Sequence, residues 1–301
     1  MNNQHKSGRI RTGLELTKSA WIVLKLDKEL INLPLISIVA STFAVLGFIG
    51  IFLAGSIYLH GGIVHDNSQF NLGYATVPFL LVAAFGLTLI TNFFTGAVLF
   101  GATQRFRGEN PTVRSSLAGA RSKLRPLAMF SLLMATVGLA LQLIGERVPF
   151  AGKIAVWLLS ASWNVANFFA LPIIMLSDHE VRPFDATKQS AQMVRKVWGE
   201  SVVASAGIGI VSFLAVLLYI GATSAIGFGF STIHAPFALI LPIGILGVFG
   251  LVTLCLVFSA LGGIVKAAIY HYATTGTSPV AFNQEQLRSS MSVKKARKIF
   301  G

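Results

Sequence analysis

The sequence predicts an all-α fold: a polytopic membrane bundle of six transmembrane helices, with three amphipathic helices lying in the interface on the cytoplasmic side. Three observations carry that prediction. The chain of 301 residues is 54% hydrophobic and only 12% charged, about half the charged share of a soluble domain. Six apolar stretches are long enough to cross hydrocarbon as helices. Of the 24 lysines and arginines, all but Arg147 and Lys153 fall in alternate hydrophilic segments between those stretches.

A hydrocarbon core about 30 Å thick needs roughly 18 or more apolar residues in helical form, because each residue rises 1.5 Å and a helix satisfies its own backbone. The six stretches that qualify are Leu33 to Leu59, Val77 to Ala102, Leu127 to Ile144, Ile154 to Leu176, Val202 to Ile226 and Phe237 to Val265. The first is too long for the apolar core of a cleavable signal peptide. The third is the shortest, and only Gly145 to Lys153 joins it to the fourth, which reads as a tight helical hairpin.

Before the first span stand six basic residues, between the second and third six, between the fourth and fifth four, and after the sixth another six. The first and fifth connections carry none, and the third carries Arg147 and Lys153. Positively charged segments stay on the cytoplasmic side, so both termini are expected there. The implied organisation is a cytoplasmic segment over residues 1–32, a membrane domain over 33–265 and a basic cytoplasmic tail over 266–301. The net charge of +13 is then a membrane-surface property. Nucleic-acid binding needs base-reading or stacking elements beside the basic face, and none is visible.

Before spans one, three and five the apolar residues recur at helical spacing instead of running continuously. In the first such segment Leu16, Ala20, Val23 and Leu24 oppose Glu15, Lys18, Lys25 and Glu29, while Asp27 intrudes on the apolar side. In the second, Val113, Leu117, Ala120 and Leu124 are flanked by Arg114, Arg121 and Arg125. The third sets Ala186, Val194 and Val197 against Lys188, Arg195 and Lys196, with Pro183 near its start and Gly199 beyond its end. The expectation is three helices lying apolar face down, with these cations toward anionic lipid. The plainer reading is that they cap the bundle and fix its topology.

Amphipathic helix, span, span thus occurs three times, over Gly13 to Gly108, Glu109 to Arg182 and Pro183 to Thr275, suggesting a threefold internal repeat. Thr91-Asn92-Phe93-Phe94 recurs as Ala166-Asn167-Phe168-Phe169.

The run Gly13-Leu14-Glu15-Leu16-Thr17-Lys18-Ser19-Ala20-Trp21, with Leu24 to Leu30 and Pro34-Leu35, resembles the opening of a prokaryotic six-span family known only as a domain of unknown function. Asn110-Pro111-Thr112, Trp163 with Asn167-Phe168-Phe169 and Pro172, and Ser190 through Arg195 to Trp198-Gly199-Glu200 resemble it as well. More distantly the chain is similar to the membrane domain of glycerophosphodiester phosphodiesterases. The resemblance implies a prokaryotic plasma membrane and no catalysis, since those enzymes carry their active site on a separate soluble barrel.

No Asp or Glu falls within the six spans, which weighs against a carboxylate proton relay. Polar positions do occur: Thr91, Asn92 and Thr95, then Gln142, then Ser160, Asn164 and Asn167 at i, i+4 and i+7. Asn92, Ser160, Asn164 and Asn167 form a candidate polar face, for a solute path or for hydrogen bonds between helices worth about 0.6 kcal/mol each. His60, His65 and Asp66 have no diagnostic metal spacing, and Cys255 is the single cysteine. No cofactor or metal is expected. Two functional readings result. The first is a non-enzymatic membrane protein whose partners are anionic lipids or another membrane protein, not nucleic acid; the alternative is a transporter or channel subunit.

Overall fold

A computed structural model describes residues 4–60, 76–198, 202–232, 237–279 and 282. All regular structure among them is helical: α1 (Gln4–Leu26), α2 (Glu29–His60), α3 (Thr76–Phe106), α4 (Val113–Ser122), α5 (Leu124–Arg147), α6 (Phe150–Ala166), α7 (Ala170–Leu176), α8 (Pro183–Trp198), α9 (Val202–Thr232) and α10 (Phe237–Thr275). Six stretches have the length and composition to cross a membrane: Glu29–Gly55, Val77–Phe106, Leu124–Arg147, Phe150–Leu176, Ser212–Gly229 and Gly244–Thr275. The third is longer than its apolar run implied, because helix continues through Leu124 to Pro126 and out to Arg147.

The interfacial segments and the spans are separate helices, but the first two breaks precede the expected span starts at Leu33 and Leu127, so that Glu29 and Leu124 fall in the span helices. The first lies at Asp27 and Lys28, where the ladder skips from α1 to α2. The second lies at Lys123, and its cause is Pro126: a proline lacks the N–H that the carbonyl four residues back requires and its ring crowds that carbonyl, here Ser122. A proline also divides the fourth span, which the sequence presents as one apolar run. Pro172 strips Phe168 of its donor, α6 ends at Ala166, and a turn over 167–169 leads into α7.

The chain divides into two compact units. One comprises residues 1–34, 101–113 and 195–301; the other comprises 35–100 and 114–194. These divisions cut across the three stretches of the suggested repeat.

In the first unit α1 packs on α9 and α10, which also pack on each other. Leu16, Ala20, Val23 and Leu24, the apolar face expected to lie on lipid, are all buried in protein. On α10, Ala260, Leu261, Ile264, Val265, Ala268 and Ile269 are all buried. Helix α10 runs 39 residues, about 58 Å at 1.5 Å per residue, so it outlasts a hydrocarbon core and its final turns belong to this packing. His271, which follows the last apolar run, stacks beside Phe106, and Phe106 meets Phe282 edge to face. Between α9 and α10, Tyr219 donates its hydroxyl to the Gly247 carbonyl at 3.1 Å. That approach depends on Gly250, where a methyl group would strike the tyrosine.

Asp27 explains its own intrusion on an apolar face. It is 5% exposed and receives two hydrogen bonds from the Arg105 guanidinium at the end of α3. Two residues on, Glu29 accepts the backbone N–H of Val113 at 3.0 Å. Val113 opens α4, so the carboxylate meets an N–H that has no partner within the helix and the positive end of the helix dipole. The junction between α1 and α2 thereby holds the end of α3 and the start of α4.

In the second unit the buried side chains come from Ala97 to Leu99, from α7 with its flanks, and from the inner faces of α4, α5 and α8. Helix α4 presses Gly119 against the ring of Phe100, leaving no room for a β-carbon. Phe79 packs against both Phe48 and Phe52 where α2 meets α3. By contrast, α6 has no buried residue.

Removing one partner of a buried ion pair leaves the other uncompensated, at about 3–5 kcal/mol. Asp27→Ala is therefore expected to lower stability by about 3 kcal/mol in mild-detergent unfolding, and Asp27→Ala with Arg105→Ala by less than the two singles combined. Additive effects in that double-mutant cycle would show that the pair is not coupled.

Candidate functional site

Two places collect the polar side chains that the sequence singles out, and both lie in the second unit. The first is the break in the fourth span. Asn167 is buried, donates its amide to the Trp163 carbonyl at 2.9 Å and accepts the Thr187 hydroxyl at 2.7 Å. The Phe169 N–H, which has left the α6 ladder, is received by Ser190 Oγ at 2.9 Å. Thr187 and Ser190 both sit on the inner face of α8 with Ala186 and Val194. The break that Pro172 forces is thus sealed by hydroxyls from α8, as irregular backbone at membrane depth requires.

Asn92 also works between helices. Its amide donates to Ser131 Oγ on α5 at 2.9 Å, and that hydroxyl donates onward to the Leu127 carbonyl at 2.8 Å. Ser160 and Asn164 are placed differently. Both bond within α6, Ser160 to the Val156 carbonyl and Asn164 to the Ser160 carbonyl. The predicted face is therefore not one surface: Asn92 and Asn167 bridge elements, whereas Ser160 and Asn164 line an open groove of about 430 Å³ between α5 and α6, with Gln142, Lys153, Trp157 and Trp163.

The second place is the basic end of the unit. Arg114, Arg121, Arg125 and Lys188 are exposed, and none has an acidic partner among the described residues. Lys123 donates to the Ser177 carbonyl at 2.8 Å, at the end of α7, where a cation also meets the negative end of the helix dipole. That bond brings the junction of α4 and α5 to the segment leading into α8. Leu124, beside these arginines, is 44% exposed, and Phe184, between Arg182 and Lys188, is 71% exposed. Arg195 is exposed and belongs to the first unit; the side chains of Lys196 and Val197 lie outside the described residues.

The faces of α4 and α8 are covered unevenly. Ala120, Ala186 and Val194 are buried in protein, but Val113 and Leu117 are only half-covered. Ser131 and Thr187 carry no signal in the sequence, as single hydroxyls in helices, and Ser190 enters there only as the start of a family-like run. Among the described residues no group of His, Cys, Asp or Glu has the geometry to hold a metal; His65 and Asp66 lie outside them.

Residues 73–280 match a family described as a family of unknown function (DUF6159). No curated protein and no solved structure matches the chain.

An unmet buried N–H costs about 1–3 kcal/mol. Ser190→Ala and Asn167→Leu are each expected to destabilise the protein by about that much, while Ser162→Ala, on an exposed position of α6, changes stability by less than about 0.5 kcal/mol. Thermal unfolding of the three variants gives the order directly.

Proposed function

The chain belongs to this family of unknown function, and from that premise we propose that it is a non-enzymatic membrane protein whose basic face organises anionic lipid at the cytoplasmic surface of a prokaryotic plasma membrane. The observation that carries the reading is the basic end of the second unit. Exposed, unneutralised Arg114, Arg121, Arg125 and Lys188 stand beside exposed Leu124 and Phe184. Cations next to apolar side chains that no protein covers suit the headgroup boundary, where the rings and aliphatic groups enter the lipid and the charges meet phosphate.

The amphipathic segments enter this reading in a changed form. Helix α1 is a packing element, its apolar face spent on α9 and α10. Helices α4 and α8 are anchored by small buried residues and offer their exposed apolar and basic side chains to the interface. The threefold order of amphipathic helix, span and span is read as an internal repeat that multiplies basic segments on one face. By the positive-inside rule that face and both termini are cytoplasmic. The motif likeness to the membrane domain of glycerophosphodiester phosphodiesterases fits a domain that does no chemistry itself.

The transporter alternative drew on Asn92, Asn164 and Asn167. Asn92 and Asn167 are engaged in contacts between helices, so their polarity is accounted for without a solute.

Each near-surface charge contributes about 1 kcal/mol toward anionic lipid. Changing Arg114, Arg121, Arg125 and Lys188 together to Gln is expected to lower retention of anionic phospholipid by at least tenfold, read by mass spectrometry of the protein extracted with its lipid, and Phe184→Ser to weaken it further. Unchanged lipid retention would falsify the proposal. Solute flux through liposomes carrying the purified protein would favour the alternative.

Orientation has a separate test. In a Cys255→Ser background, cysteine at exposed Ser122 is expected to resist an impermeant thiol reagent applied to intact cells, and cysteine at exposed Ala151 to react. The reverse pattern places the basic face outside.

A further inference from the structure

We infer that the groove between α5 and α6 is the contact face for a second copy of this chain, seated about a twofold axis along the membrane normal. The inference is independent of the lipid-binding reading and rests on a different end of the unit.

Helix α6 leaves every residue at least partly uncovered, although it lies in one of the six stretches suited to cross a membrane. Its groove face is nevertheless polar at successive depths. From Lys153 to Asn164 is eleven residues of helix, about 16 Å, so Lys153 stands at the hairpin end and Asn164 near the middle of a 30 Å hydrocarbon layer. Ser160 lies between them, and Gln142 projects from α5. Both amides are exposed.

The distribution of polar groups selects the occupant. A phospholipid concentrates its hydrogen-bonding groups at the headgroup and offers only methylenes 16 Å below, which leaves Asn164 facing hydrocarbon. A helix offers groups at every depth. With the axis along the membrane normal, each residue near the axis meets its own counterpart at the same depth. An amide carries two N–H donors and a carbonyl acceptor. Within one copy Asn164 gives one N–H bond to the Ser160 carbonyl and Gln142 gives one to Glu146. The remaining N–H and carbonyl of each can meet their counterparts across the axis. Close approach is open as well, since Gly138 on the groove has nothing within van der Waals reach of a β-carbon position.

Charge at the hairpin end is self-complementary in the same sense. Glu146 and Lys153 are both exposed at that end, Glu146 on α5 and Lys153 on α6. Two copies related by the axis exchange them, Glu146 of each facing Lys153 of the other, so both pairs form at once.

The test uses the full chain with Cys255→Ser, co-expressed with two different tags. Cysteine at Asn164 is expected to form a disulfide between the two tagged copies in native membranes under mild oxidation, at least tenfold more efficiently than cysteine at Leu218, which is exposed on α9. Glu146→Lys and Lys153→Glu are each expected to lower the dimer fraction at least threefold in a fluorescence-transfer dilution series in liposomes. The double exchange should restore it, which misfolding cannot do. Absence of transfer at all protein-to-lipid ratios overturns the inference. So do cross-links at Leu218 as strong as at Asn164, and cross-links from Asn164 to a different protein only. Recovery of a phospholipid held by Gln142 and Lys153 in a monomer equally assigns the groove to lipid and overturns it.

Discussion

A backbone N–H or C=O left unpaired in hydrocarbon costs several kcal/mol, and the arrangement of the second unit follows from that constraint. Pro172 removes a donor from the fourth span and ends α6 at Ala166. The groups thus released cannot turn to water. Helix α8 supplies Ser190 to the Phe169 N–H and Thr187 to Asn167. For those hydroxyls to reach so far in, α8 must lie against the break with a face of small residues, which is what Ala186, Thr187 and Ser190 provide. A polar helix that has its inner face committed in this way presents Lys188 and Phe184 on its outer one. The exposure of Lys188 and Phe184 is thus a consequence of how a proline break is sealed.

In the first unit the same role falls to a charge. Asp27 on the inner side of the α1–α2 junction tolerates burial only because Arg105 pairs with it through two hydrogen bonds. The pair joins residues 78 positions apart, and Glu29, two residues on, holds the start of α4. Continuous apolar helices have no intrinsic register against one another, since one leucine contact resembles the next. A directional pair at the junction fixes which turn of α3 faces which turn of α2. The specificity of a polar contact and the bulk of apolar burial along α10 divide the work.

Apolar length and helical spacing made the six long apolar helices legible in the sequence, but the first two breaks between interfacial segment and span leave helices that begin at Glu29 and Leu124, ahead of the apolar runs that start at Leu33 and Leu127. A run of hydrophobicity locates the apolar part of a helix and is blind to the turn at which its backbone ladder starts. What the sequence concealed has equally physical causes. The apolar run through the fourth span hides its break, since a window of hydrophobicity is blind to a lost hydrogen bond; Pro172 was the available signal. Spacing at i, i+4 and i+7 put Ser160, Asn164 and Asn167 on one face only on the assumption of unbroken helix, and the turn over 167–169 sends Asn167 to Thr187 while Ser160 and Asn164 stay in the groove. The apolar face of α1 was assigned to lipid although it meets α9 and α10, because a leucine stripe is equally satisfied by either medium.

The placement of the few acidic residues bears on what the basic face is for. Asp27 and Glu29 are both committed, one to a guanidinium and one to a helix start. Glu146 receives the Gln142 amide at the hairpin end. These carboxylates work within the architecture and none neutralises Arg114, Arg121, Arg125 or Lys188. A soluble surface normally intersperses both signs, which limits self-repulsion and keeps the field of any one patch small. Here Asp185 is the acidic residue nearest in sequence to Phe184 and Lys188, and it lies in the first turn of α8, where the helix dipole already favours an anion. Glu180 and Asp185 line one cavity with Arg182 and Lys188, so the excess positive charge at this end is carried chiefly by Arg114, Arg121 and Arg125. In the proposed reading an anionic surface relieves the repulsion among them, and the exposed Leu124 and Phe184 are the apolar groups that would meet it. A charged interface and a membrane boundary therefore impose the same arrangement on this end of the unit.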